Sequence, residues 1–73
     1  MEELTITADF DEDARVWVAV DDRLGLATEA ESLEVLAYKL REMLKELVEL
    51  NLGQTTGPVR FTLVSRRTLE AFA

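Results

Sequence analysis

The sequence predicts an α+β fold: a two-layer sandwich of β-β-β-α-β order, with a mostly antiparallel four-stranded sheet and one long helix on one face. Three observations carry this. Two runs near the N-terminus alternate with period two, a central stretch repeats apolar residues at three- and four-residue steps, and a further period-two run follows a proline. At 73 residues the chain is read as one domain, 1–73. So short a chain buries only roughly 60% of its unfolded surface, so its core is marginal and a partner subunit would add stability.

The first strand is read at about 3–10, where Leu4, Ile6, Ala8 and Phe10 alternate with Glu3, Thr5, Thr7 and Asp9. Asp11, Glu12 and Asp13 supply a polar reversal. A second strand at about 14–21 completes a hairpin, with Ala14, Val16, Val18 and Val20 on one side and Arg15, Trp17 and Ala19 on the other. Asp21, Asp22 and Arg23 make the next turn, where Gly25 can supply an unusual backbone angle. A short third strand is read at about 25–29.

The helix is predicted over about 32–51. Ser32 is the N-cap candidate, with Glu34 in the first turn where the helix dipole favours an acid. Thr28 and Glu31 also fit a capping-box spacing, so the start is fixed only to within a turn. Leu33, Leu36, Ala37, Leu40, Leu44, Leu47 and Val48 form the apolar stripe, with Met43 and Leu50 at its rim. Asn51 and Gly53 end the helix. A polar loop from Gln54 to Pro58 leads to a fourth strand at about 59–65, with Val59, Phe61 and Leu63 alternating with Arg60, Thr62 and Val64. Arg66 to Ala73 is a tail, with Leu69 and Phe72 spaced for one helical turn. The expected strand order is 3-2-1-4.

One helix covers one sheet face. With Leu4, Ile6, Val16, Val18, Phe61 and Leu63 turned to the helix, the far face carries Thr5, Thr7, Trp17, Ala19, Thr62 and Val64, and no element remains to cover it. Together with Asp21 and Asp22 in the adjoining turn, these residues make the candidate protein interface. Trp17 combines a large apolar body with a polar tip, a type enriched at interfaces. A one-residue slip of register would put it in the core instead, because the side-chain period of a strand is two.

Composition argues against catalysis. There is no cysteine and no histidine, which removes thiolate nucleophiles, most structural zinc sites and the commonest general base. Ser32 and Ser65 have no histidine to activate them, and Lys39 and Lys45 fall on the polar side of the helix. Asp9, Asp11, Glu12 and Asp13 cluster beside the hairpin, but the spacing lacks the glycine and distal glutamate of an EF-hand loop. Asp21 and Asp22 are adjacent and read as turn formers rather than a cooperating acid–base pair. No enzyme activity, cofactor or metal is expected.

The net charge of −7 is unevenly spread: residues 1–36 carry eleven acids against Arg15 and Arg23, whereas residues 37–73 carry four acids against six bases. The acidic half repels phosphate and suits a basic protein surface, so no direct nucleic-acid contact is expected. Arg60, Arg66 and Arg67 form the one basic spot. No apolar run approaches the ~20 residues of a membrane span, and the N-terminus lacks the features of a signal peptide, so a cytoplasmic location is expected. The scarcity of amides, with Asn51 and Gln54 alone, points to a thermophilic source.

The segment from Trp17 to Glu34, WVAVDDRLGLATEAESLE, carries a family resemblance. The residues that carry it, beginning in the turn before this segment, are Asp11 and Asp13, then Trp17 and Val18 in the second strand, Asp22, Gly25 and Leu26, and Thr28, Ala30, Glu31, Ser32 and Glu34 leading into the helix. Residues 4–50, taken in this order, resemble the N-terminal domain of HicB-type antitoxins, most closely a branch of small HicB-like domains of unassigned function. The resemblance implies a three-stranded meander, one helix and a returning strand, in a homo-oligomer, with a dimer favoured. It also implies a non-catalytic protein-binding domain that restrains a small basic toxin-like partner, the histidine of catalysis belonging to that toxin. The alternative is an orphan structural homo-oligomer without a toxin. Many HicB proteins continue into a DNA-binding segment; only eight residues follow Ser65 here, so operator binding in cis is not expected.

Overall fold

A computed structural model of the chain describes residues 3–53 and 57–72. The elements run β1 (Glu3–Asp11), β2 (Val16–Asp21), β3 (Leu26–Ala30), α1 (Leu33–Asn51) and β4 (Arg60–Arg66). The sheet order is β3-β2-β1-β4, with β1–β2 and β2–β3 antiparallel and β1–β4 parallel. This is the expected α+β architecture and the expected strand order. Residues 54–56, within the polar loop, and residues 1–2 and 73 lie outside the described residues.

The helix begins where a short polar side chain can satisfy a free backbone donor. Ser32 sits in extended conformation, and its Oγ accepts from the Val35 N–H at 3.2 Å. Thr28, the other capping candidate, lies inside β3, so the capping box does not form there. Leu36, Leu40, Leu44 and Val48 are fully buried, and the stripe they make is the one the periodicity marks out. They close over Leu4, Ile6 and Ala8 of β1, Ala19 of β2, and Leu26 and Ala30 of β3.

β2 departs from the sequence reading. A reversal of three residues, Asp11 to Asp13, would pair Phe10 with Ala14 and set Val16 and Val18 opposite Ala8 and Ile6, on the helix side. The turn instead occupies residues 12–15. Asp11 Oδ1 accepts from the backbone N–H of Asp13 and Ala14, and Arg15 closes the loop in the left-handed region at φ 62° while donating its N–H to Asp11 O at 2.7 Å. Phe10 therefore lies opposite Trp17, and Ala8 opposite Ala19. One added loop residue turns every side chain of β2 over. Trp17 and Ala19 face the helix, and Val16, Val18 and Val20 face away.

The exchange has a packing logic. Ala8 and Ala19, both fully buried, are small enough for α1 to approach the sheet closely. Trp17 fits at the end of that layer, half-buried, with its ring edge against Phe10 at a centroid distance of 5.1 Å and an angle of 67°. Residues 67–72 form no helical turn; they leave the sheet as an irregular arm.

Candidate protein-binding face

The open face of the sheet is built from alternate residues of all four strands. Register places Thr5 beside Thr62 and Thr7 beside Val64 on the β1–β4 side. Val18 lies between Asp9 and Glu29, Val16 beside Asp11, and Val20 beside Ala27. The centre is thus a row of valines on β2, flanked by Asp11 and Glu29 and, on the β4 side, by Asp9 with Arg66 beside it. Val20 is 57% exposed and Val64 39%. Among the described residues no second layer lies over this row.

Of the residues expected at an interface, Thr5, Thr7, Thr62 and Val64 do share this open face. Trp17 and Ala19 do not; the hairpin register puts them on the other side, Ala19 with no exposure at all. Asp21 is occupied in its turn, where Oδ1 accepts from the N–H of Arg23 at 3.0 Å and of Leu24 at 3.3 Å. Asp22 is exposed, and its carbonyl accepts from the N–H of Gly25, which sits at φ 68°. The residues that the sequence reading missed are Val16, Val18 and Val20. Their signal was present: a strand apolar at both parities suits a strand covered on both faces.

The acidic hairpin and the C-terminal arginines, separated in sequence, meet in space. Arg66 makes a two-pronged contact with Asp9, Nε to Oδ1 at 2.9 Å and Nη2 to Oδ2 at 3.2 Å. Arg67 does the same with Glu12, at 3.0 and 3.3 Å, and its guanidinium lies 4.0 Å from the Phe10 ring centroid. The hydrogen bond from Arg67, with its charge and that of Arg15, holds the Glu12 carboxyl below the ordinary glutamate value. The hydrogen bond and charge of Asp9 push the Arg66 guanidinium up from its own. The basic spot formed by Arg66 and Arg67 is therefore engaged with carboxylates of the same chain. Because these pairs are exposed, they orient the chain more than they stabilise it.

At the opposite end of the helix, Asn51 donates from Nδ2 to Leu24 O at 2.8 Å and to Leu47 O at 3.0 Å. The bond to Leu24 fastens the β2–β3 turn to the helix end and fixes Leu24, which is wholly buried although it sits in a turn. The exposed edge of β3 is guarded by Lys39, whose Nζ donates to Glu29 O at 2.7 Å. A lysine laid on an edge strand blunts its use as a pairing template. Partner recognition by strand addition at that edge is disfavoured, and the open valine face stands out by comparison.

For chemistry the surface offers little. Among the described residues no group of three or more potential ligands is arranged to hold a metal, and no polar side-chain atom is buried without a partner. Among the described residues no helix is long and apolar enough to cross a membrane.

Fold and site together define a small α+β domain with a helix packed on one sheet face and the other face open. Residues 3–73 match the family described as Domain of unknown function (DUF1902), and the chain belongs to it. It is also similar to a hypothetical protein from the extremely thermophilic bacterium Thermus thermophilus. The two share 44% identity over 96% of this chain and 100% of the other, with a TM-score of 0.78 to its crystal structure. No curated protein matches the chain.

Proposed function

We propose that the chain is a non-catalytic, cytoplasmic protein-binding domain that uses its open sheet face, in the manner of the HicB-type antitoxins it resembles, to hold a small basic partner. The observation that carries this reading is the valine row on β2, Val16, Val18 and Val20, with Val64 of β4, on an outer face that no layer covers among the described residues, beside the carboxylates of Asp11 and Glu29. An apolar centre rimmed by charge is the usual anatomy of a protein interface. Carboxylates at the rim favour encounter with a basic surface. The absence of histidine and cysteine from the sequence supports a role without catalysis.

The test is capture with the wild-type chain and with Val18→Lys as paired baits in the source organism. The new lysine lies opposite Glu29, so the fold gains a cross-strand ion pair while the face loses its apolar centre and gains a positive charge. A small basic protein held by the wild type and released by Val18→Lys supports the proposal. Equal retention by both baits, or no basic protein with either, counts against it.

A second reading, a structural homo-oligomer without a toxin-like partner, draws on a different observation: the arm after β4 exposes Leu69 and Phe72 to solvent.

A further inference from the structure

The helix does not cover the inner face evenly. Beside β4 it leaves an open cleft of about 270 Å³ lined by Leu44, Pro58, Val59 and Phe61, with Arg41 and Lys45 at the helix rim. Such a volume lies just under the usual range for small-molecule sites, roughly 300–1,000 Å³. It suits one or two apolar side chains better than a ligand. Arg41 and Lys45 make no ion pair among the described residues.

The same chain carries apolar side chains with nowhere to go. Leu69 is 69% exposed and Phe72 88%. Their segment is not a loose end at its root, because Arg66 and Arg67 are clamped to Asp9 and Glu12 at the hairpin end of β1. The arm therefore leaves in a defined direction. It contributes to a long axis of 52 Å, against roughly 30 Å for nine residues of strand or nineteen of helix.

We infer that the arm, residues 68–72, docks into the cleft of a second copy of this chain, so that two copies exchange arms in an isologous dimer. Distance excludes the chain's own cleft for Leu69. Phe61 lies six strand residues before Arg67, about 20 Å away, and Leu69 is only two residues, about 7 Å, beyond that clamp. Charge favours the exchange as well: Glu70, between the two apolar residues, meets a rim made by Arg41 and Lys45. A two-fold arrangement fills both clefts and covers both arms at once. The inference deepens the homo-oligomer reading and leaves the open valine face free for another partner.

The test uses the lack of cysteine in the chain. Protein carrying only Leu69→Cys is mixed with protein carrying only Val59→Cys and treated with a short bismaleimide. The expected result is a crosslinked pair containing one of each. A crosslink that forms only within a doubly substituted single chain overturns the inference. Sedimentation gives an independent readout: Leu69→Ser weakens the dimer by about 10- to 100-fold, and Val18→Lys leaves it unchanged. Glu70→Arg also weakens it, and pairing that change with Arg41→Glu restores it. A wild-type chain that is monomeric at every concentration, or a dimer lost in Val18→Lys and kept in Leu69→Ser, overturns arm exchange. The second of these results would still sustain self-association through the valine face, so the failure of one idea is separable from the failure of the other.

Discussion

The two faces of the sheet are both apolar at their centres and differ in what lies over them. The inner face presents Leu4, Ile6, Ala8, Ala19, Leu26 and Ala30, all buried beneath α1. The outer face presents Val16, Val18, Val20 and Val64 and has no layer over it among the described residues. On one side, apolar residues seal the fold. On the other they leave the molecule with a surface that water covers poorly. On the proposed function, stability and recognition are separated across the thickness of a single sheet, and substitutions on the two sides should fail in different ways.

The largest effect belongs to the sealed side. Leu40→Ala removes a fully buried contact from α1 and should cost about 2–5 kcal/mol, lowering the melting temperature by about 10 °C or more. An unchanged melting curve would break the assignment of the inner face. Trp17→Ala should come next, at about 2–3 kcal/mol, less than full burial would give because the indole is half-buried beside Phe10. It should leave self-association of the folded protein intact, since the ring lies on the helix side; a stable fold with altered association would return Trp17 to the outer face. Asn51→Ala removes the tie to Leu24 O and should cost about 1 kcal/mol, with faster amide exchange confined to the β2–β3 turn.

Acid adds a third contrast, because the Glu12–Arg67 pair at the root of the arm depends on an ionised carboxylate. Glu12 titrates below its ordinary value of 4.5 in the folded chain. Its pairing with Arg67 therefore contributes fully above that ordinary value and is lost as pH falls through the lowered one. Proteolysis within residues 68–72 should quicken across that window in the wild type and show no such step in Glu12→Gln.

Much of this architecture is legible from the chain. The first strand alternates cleanly between Leu4, Ile6 and Ala8 and the polar Thr5, Thr7 and Asp9, so its inner side follows from pattern alone. The helix stripe through Leu36, Leu40, Leu44 and Val48 is equally plain. The second strand reads VWVAVD, apolar at both parities, so pattern cannot orient it. Its orientation is decided by one loop residue, Arg15, held in a backbone conformation that an arginine side chain does not announce. Leu24 hides for a related reason. It is surrounded by turn formers, yet it is core, with its carbonyl tied to Asn51, 27 residues later. The arginine clamps likewise depend on β4 returning parallel to β1, which brings residues 55 and 57 positions apart into contact. The candidate face was therefore half visible: its threonines and Val64 follow from β1 and β4, and its valine centre required the true register.

The measurement that bears most directly on this division is a paired reading of stability and partner capture for Val18→Lys. The expected result is a melting temperature within a few degrees of wild type together with loss of the basic partner. A variant that unfolds like Leu40→Ala, or one that melts normally and still holds the partner, would contradict the separation of the two faces.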